Sequence, residues 1–332
     1  MAPGVKLLQS FDWDSPAQNS RLREELAAGL LRPQAAIAPK FFYDPLGSRL
    51  FEAITELPEY YPTRTEAAIF REHLPAIGQA LGRDFTLIDL GCGSCGKAGR
   101  LFHAGILPAR YLAVDISVDF LRESLQHLKR ELPAIDMTGI GLDFTDELQL
   151  PADLPPQKRM FFYPGSSIGN FSPPEARRFL RQLAARMDAS GGLLIGVDLV
   201  KEKSLLDAAY DDALGVTAAF NRNLLRHVNA RLDADFDIGD WRHVAFFNET
   251  ESRIEMHLEA RRELDASWPD GAGRRVRHFT AGERIHTENS YKYSPTGFKT
   301  LLTEAGFTDI RMWTDSRAWF ALFFARQAVT RT

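Results

Sequence analysis

Phe85-Thr-Leu-Ile-Asp-Leu-Gly-Cys-Gly-Ser-Cys-Gly-Lys97 is the stretch whose reading decides how this chain folds. Phe85 to Leu90 is a short apolar run, interrupted only by Thr86 and Asp89, and it stops at a glycine-rich turn, Gly91 to Gly96. Such a run bounded by turn residues reads as a buried strand. A helix beginning near Lys97 follows it. Strand, glycine turn and helix in that order place backbone N–H groups at a helix start, where a ligand can approach the chain closely.

The same alternation continues outward. Arg110 to Asp115 reads as a second strand, and Val118 to Glu131 carries Leu121, Leu125 and Leu128 on one helical face, with Leu132 continuing it. Met137 to Leu142 and Arg159 to Tyr163 are further strands. Pro174 to Met187 is a helix with Phe179, Leu180 and Leu183 on one side, and Gly192 to Asp198 is a fifth strand. Alternation of this kind predicts a parallel sheet with right-handed crossovers. After a helix at Pro295 to Ala305, two apolar strands, Thr308 to Trp313 and Ala318 to Arg326, are separated by too few residues for a crossover, so they form an antiparallel hairpin. An α/β chain with a mainly parallel sheet closed by such a hairpin resembles the class I, Rossmann-like methyltransferase architecture, for which seven strands are expected.

Two regions break the alternation. Residues 1–65 are rich in aromatics and Pro, and residues 201–294 begin with a helical pattern (Leu205, Leu206, Ala209, Leu214). They continue with strand-like stretches around Val244 to Phe247 and Arg253 to Leu258. Together they are expected to form an α+β substrate-binding lobe, leaving 66–200 and 295–332 as the catalytic domain. No internal repeat stands out.

Composition narrows the possibilities. The 332 residues are 45% hydrophobic and 25% charged, ordinary for a globular chain, and long enough for two domains or one with a large insertion. The formal net charge of −4, with basic and acidic residues interspersed, argues against a nucleic-acid binder. The N-terminus lacks an apolar run after a basic start, so no signal peptide is expected. The most apolar stretch, Ala318 to Ala325, is far short of the roughly 20 residues that span a bilayer. Cys92 and Cys95 are the only cysteines, which excludes a disulfide framework and suits a reducing cytoplasm. A monomer that uses neither membrane nor nucleic acid is expected.

Three acids sharpen the glycine turn. Asp89 precedes it and can face the amino group of a methionine-like ligand. Asp115 ends the second strand, 22 residues after Gly93, where a carboxylate accepts both ribose hydroxyls. Asp143 ends the third strand beside Phe144, a pair suited to an adenine amino group and an adenine face. Acids at successive strand ends line the edge where α/β sheets bind ligands. Acidic and aromatic surroundings suit a sulfonium cofactor better than a phosphate-bearing one, although dinucleotide-dependent dehydrogenases share the glycine turn and solvent-facing caps are the plain alternative. Cys92-Gly-Ser-Cys95 could be a redox pair or half a zinc site. Further ligands at close spacing are missing, so two free thiols and no metal are expected.

Longer motifs resemble the histidine-specific methyltransferase family. They are Pro39-Lys-Phe-Phe-Tyr-Asp-Pro-Leu-Gly-Ser-Arg-Leu-Phe-Glu52 running to Leu57-Pro-Glu-Tyr-Tyr-Pro-Thr-Arg-Thr-Glu66, and Phe162-Tyr-Pro-Gly-Ser-Ser-Ile-Gly-Asn-Phe171. Val197-Asp-Leu to Tyr210-Asp-Asp and Ile285-His-Thr-Glu-Asn-Ser290 with Tyr291-Lys-Tyr293 complete the set. The resemblance covers nearly the whole chain. It implies S-adenosylmethionine as cofactor and Nα-trimethylation of L-histidine to hercynine, the first step to ergothioneine. In cofactor binding it implies Gly91, Lys97, Asp115, Asp143 and Phe144, to which the turn adds Asp89 and Gly93. In substrate binding it implies Tyr60, Asn170, Tyr210, Glu288 and Ser290, with Met256 beside the imidazole and Tyr43 near the amine as the catalytic candidate. One departure is the loop from Cys92 to Gly96, where the family commonly carries a Ser/Thr/Glu-rich stretch.

The chemistry of these residue types agrees. Asn170 and Tyr210 can donate to a carboxylate. Glu288 and Ser290, two apart, point to the same side of a strand and can serve the two nitrogens of an imidazole. An indole has one N–H and no acceptor, so Glu288 separates histidine from the alternative of a tryptophan derivative. Tyr60 could instead be a packing residue, Asn170 a helix cap before Ser172-Pro-Pro, and Glu288 a solvated charge.

Overall fold

The computed structural model describes residues 5–9, 11, 15–145, 148, 150–151, 154 and 158–327, so the outermost ends of the expected ranges 1–65 and 295–332 lie outside it. In chain order the elements are β1 (Lys6–Gln9), α1 (Pro16–Leu30), α2 (Pro45–Thr55), α3 (Tyr61–Leu81), β2 (Thr86–Leu90), α4 (Gly96–His103), β3 (Arg110–Asp115), α5 (Val118–Glu131) and β4 (Asp136–Gly141). Then come β5 (Arg159–Tyr163), α6 (Pro173–Ala184), β6 (Gly192–Asp198), α7 (Lys203–Tyr210), α8 (Val216–Leu232), β7 (Trp241–Asn248) and β8 (Arg253–Ala260). The last are β9 (Leu264–Asp270), β10 (Gly273–Phe279), β11 (Arg284–Tyr291), α9 (Pro295–Glu304), β12 (Phe307–Thr314) and β13 (Phe320–Gln327).

The chain divides into two compact units. The first holds residues 1–11, 62–200 and 291–332, and the second 12–61 and 201–290. The first unit carries one sheet in the order β1-β4-β3-β2-β5-β6-β13-β12. Its pairs from β4 to β6 are parallel, and β13 enters antiparallel between β6 and β12. This is the class I methyltransferase topology that the alternation and the closing hairpin predict, with one strand more than the expected seven. The extra strand is β1, which pairs in parallel with β4. Residues 6–9 therefore belong to this sheet and not to the lobe expected over 1–65. Lys-Leu-Leu-Gln is too short to show a period, yet it covers an edge that would otherwise expose unpaired N–H and C=O groups. Gly139 of β4 makes the fit possible: a Cβ there would lie 2.7 Å from both Leu7 and Leu125.

Side-chain alternation along the strands builds two cores, one on each face of the sheet. Ile88, Leu90, Val114, Phe161 and Tyr163 pack under α6 and α9 through Phe179, Leu180, Phe298 and Leu302. Leu87, Ala113, Tyr111 and Phe162 pack under α3, α4 and α5 through Ile69, Ile77, Leu101, Leu121 and Leu125. The strand order reverses at β2 and β5, which places the carboxyl ends of those two strands at the switch point where open α/β sheets bind ligands.

The second unit combines helices with a three-stranded sheet, β11-β8-β7, and an antiparallel hairpin, β9-β10. Trp241, Phe236 and Phe279 form an aromatic knot within it. Residues 35–37 run alongside β11, the His286 N–H donating to the Ala35 carbonyl and the Ile37 N–H to the His286 carbonyl. Among the described residues, no helix is long and apolar enough to cross a membrane.

Candidate active site

The glycine turn is a backbone device. Gly91 and Gly93 have φ of 67° and 53°, in the left-handed region that glycine enters without a Cβ penalty. The N–H groups of Gly91 and Cys92 both donate to the Val114 carbonyl, which folds the turn back over β3. Asp115 then closes it. One carboxylate oxygen accepts from Gly93 N at 2.9 Å and the other from Ser117 N at 2.9 Å, leaving the half-buried group poised at the strand end. Burial pushes its pKa up against the opposing effect of these N–H donors.

Asp143 follows β4, and its Oδ1 accepts from the Thr145 N–H at 3.1 Å. Phe144 beside it is half-buried, with its edge 3.7 Å from where a Gly91 Cβ would stand. Tyr163 and Phe179 hold the ring at centroid distances of 5.9 and 6.0 Å. An aromatic face and a carboxylate meet here at the glycine turn, as an adenine would require.

Asp89 is placed differently from the expectation that it faces a ligand. It shares a sheet face with Leu87, so alternation turns it beneath the turn into the core, where it is 1% exposed. Tyr111 donates to its Oδ2 at 2.8 Å, and its Oδ1 has no hydrogen-bond partner among the described residues. Burial pushes its pKa up to about 7. Its influence on a cation above it is electrostatic and depends on protonation. Below about pH 7 the acid is neutral and attracts no cation, and above it the charge is present. Affinity for S-adenosylmethionine should therefore fall as pH drops through about 7, and Asp89→Asn should flatten that dependence. Calorimetric titrations between pH 6 and 8 read this directly, and an equally steep profile in the variant would assign it to another group.

Cys92 and Cys95 are free, buried thiols. Burial, the neighbouring Cys95 and nearby acids push the Cys92 thiol well above its ordinary range. Cys95 caps α4 with φ of 58°, a conformation that costs a non-glycine residue. Among the described residues, no group of His, Cys, Asp or Glu is placed to hold a metal ion.

Lys97, in the first turn of α4, is held by Glu66 of α3, Nζ to Oε2 at 2.6 Å. The other Glu66 oxygen accepts from Gly165 N at 2.8 Å, in the loop after β5. Glu66 was quoted within a motif above, but no spacing signal in the sequence ties it to residues 97 and 165. Asn170 ends the 3-10 turn Ser167–Asn170 after β5 and is half-buried. It does not cap α6. Ser172 does, in a reciprocal capping box with Glu175.

The remaining expected substrate residues lie in the second unit. Tyr210 ends α7 and donates its phenol to Ser290 Oγ at 2.8 Å. Ser290 and Glu288 both sit on β11 and are 3% and 8% exposed, which sets aside a solvated charge for Glu288. Met256 is buried on β8. Tyr60 meets Tyr210 edge-on at 6.3 Å, and Phe51 meets Tyr60 at 6.2 Å. Tyr43 follows the 3-10 turn Pro39–Phe42, with its ring edge-on to Phe51 and Phe220. That turn is anchored by His227, whose Nδ1 lies 2.7 Å from the Phe41 carbonyl. Asp44 fixes its exit by capping α2 at Gly47 N, 2.7 Å, and accepting from Asn223 at 2.7 Å.

His243 is a residue that sequence reading missed. Its Nε2 lies 2.8 Å from the Tyr210 carbonyl and so carries the proton, and its Nδ1 accepts from Asn221 at 2.8 Å. Burial holds its pKa below the usual value, in keeping with a neutral ring. It fixes the backbone of the residue whose phenol reaches Ser290.

Comparison with known proteins decides the family. The profile described as "Histidine-specific methyltransferase, SAM-dependent" matches residues 22–327. The chain belongs to the histidine-specific, SAM-dependent methyltransferase family. It is 40% identical over 323 residues to the histidine N-alpha-methyltransferase of Mycolicibacterium smegmatis, covering 94% of this chain and 96% of that one. It is 39% identical to the enzyme of the same name from Mycobacterium tuberculosis, over 92% of this chain and 94% of that one. Similarity to ergothioneine biosynthesis protein 1 of Schizosaccharomyces pombe is 30% over 80% of this chain, which spans only 35% of that longer protein. As a family member the chain is a methyltransferase that uses S-adenosylmethionine. The chemistry of the acids, the aromatic face at Phe144 and the partly exposed Lys97 side chain suits that cofactor's cationic, adenine-bearing and carboxylate-bearing parts.

Proposed function

We propose that this enzyme methylates the α-amino nitrogen of L-histidine three times, giving hercynine, the first step of ergothioneine biosynthesis. The observation that carries the reading is the buried Tyr210–Ser290 hydrogen bond with Glu288 on the same strand, in a chain whose relatives are histidine N-alpha-methyltransferases. A buried acid and hydroxyl two residues apart on one strand suit the two nitrogens of an imidazole. Met256 supplies an apolar surface for the ring.

Bound at the first unit, S-adenosylmethionine supplies an electrophilic methyl group on a sulfonium. Asp115 takes the ribose, and Asp143 with Phe144 the adenine. The amine must be neutral to attack. An α-amino group titrates near about 8, so its deprotonation needs no strong base. Tyr43 orients that amine or passes its proton to water. The enzyme's main contribution is alignment.

Mass spectrometry of the protein incubated with S-adenosylmethionine and the twenty amino acids tests the proposal. Histidine should gain three methyl groups and the others none, and Tyr43→Phe should slow the gain without raising the histidine requirement to the same degree. Methylation of tryptophan or another amino acid in place of histidine would overturn the substrate and the roles given to Glu288 and Ser290.

A further inference from the structure

Glu66 is an acid in the second turn of α3, 1% exposed, in the unit that carries the residues proposed for the cofactor. Its carboxylate is held at two points, by the Lys97 ammonium at 2.6 Å and the Gly165 N–H at 2.8 Å. Lys97 keeps 29% of its side chain exposed, against 2% for Glu66, so the lysine is partly open to solvent while the acid is sealed. Two glycines are shaped around the pair. A Cβ at Gly165, φ 79°, would lie 2.6 Å from Lys97 Nζ, and a Cβ at Gly196 on β6 would lie 2.5 Å from Glu66 Oε1. Residues far apart in sequence, on α3, α4, β6 and the loop after β5, are thus accommodated to one ion pair at the carboxyl ends of β2, β5 and β6.

An ammonium has three donors, and one carboxylate oxygen occupies one of them. A free lysine side chain has rotamer entropy that is lost when the head is fixed on a ligand. Holding the head in advance removes that loss from binding. We propose that Glu66 is a positioning residue for the cofactor: it holds Lys97 so that a remaining N–H meets the carboxylate of the amino-acid portion of S-adenosylmethionine, and it ties this contact to the loop at Gly165. The proposal rests on the reading of Lys97 as a cofactor ligand.

The test compares two ligands that share the adenosine portion. S-adenosylhomocysteine carries the amino-acid carboxylate, and 5′-methylthioadenosine lacks it. Glu66→Gln keeps the size and an acceptor for Gly165 but removes the charge. It should weaken S-adenosylhomocysteine binding about tenfold or more and leave 5′-methylthioadenosine within twofold of the wild type. Lys97→Met should show the same selectivity, and the double variant should be no worse than Lys97→Met alone, because coupled residues do not add. The unchanged binding of 5′-methylthioadenosine also reports that each variant is folded.

Equal loss for both ligands in Glu66→Gln would make Glu66 a general structural residue and overturn the proposal. Tighter S-adenosylhomocysteine binding would overturn it too, by showing that Glu66 competes with the ligand for Lys97. If Lys97→Met is selective and Glu66→Gln has no effect, only the role of Glu66 falls. If Lys97→Met itself shows no selectivity, the Lys97 assignment falls first and this proposal with it.

Discussion

Lys292→Met is expected to destabilise the protein by about 3–5 kcal/mol, the cost of leaving one member of a buried ion pair without its partner. Lys292 Nζ lies 2.9 Å from Asp198 Oδ2, and both side chains are 0% exposed. Asp198 ends β6, where Ser166 Oγ accepts from its N–H at 2.8 Å, and its carbonyl accepts from Tyr293 N at 3.0 Å. The pair therefore sits where the chain re-enters the first unit after β11 and is joined to the end of β6. Removal of the ammonium leaves the Asp198 carboxylate in the protein interior without the cation 2.9 Å away. Urea and thermal unfolding measure the loss. The double variant Lys292→Met/Asp198→Asn should recover a substantial part of it, since an amide is far cheaper to bury than an unpaired charge. A double variant less stable than the single one would show that Asp198 is needed for its other contacts and not for Lys292.

The second large effect is on substrate. Glu288→Ala should lower kcat/KM for histidine roughly 10- to 150-fold, the equivalent of the ~1.5–3 kcal/mol carried by a hydrogen bond to a charged group. The cofactor's dissociation constant should not change, because Glu288 lies in the second unit while the residues proposed for the cofactor lie in the first. Steady-state kinetics with histidine, paired with calorimetry on S-adenosylhomocysteine, separates the two. A parallel fall in cofactor affinity would remove Glu288 from the imidazole and make it a residue of general structural importance.

Much of the first unit was legible because its signals are local. Strand, glycine turn and helix follow one another within 85–97, and the next carboxylate falls at Asp115 because one helix and one strand take a nearly fixed length. The Asp115–Gly93 hydrogen bond joins the two residues that this spacing singles out. Asp89 shows where local reasoning stops. Both faces of β2 are buried, so composition does not say which face the acid takes, and the partner that answers the question, Tyr111, lies on a neighbouring strand.

The residues that sequence reading missed share that property. Glu66 gains its meaning from Lys97 and Gly165, and His243 from Asn221 and the Tyr210 backbone. Each of these contacts joins elements distant along the chain. The hairpin β9-β10 was missed for another reason. Arg274, Arg275 and Arg277 lie on it with an exposed Val276, and a hairpin with so much polar surface has no clear apolar alternation to read.

The place of β13 in the sheet has a consequence for synthesis. It follows β12 in the sequence, yet it lies between β6 and β12 and pairs with both. A nascent chain that has just completed α9 has made β1 to β6 but presents β6 as an open edge, with unpaired main-chain groups and the apolar side chains of Leu193, Leu194 and Ile195 nearby. Closure waits for Phe320–Gln327 to clear the ribosome. The vulnerable interval for mispairing during translation therefore lasts until β13 has emerged, and a stall before that point would leave a chain that holds its glycine turn but lacks a finished sheet.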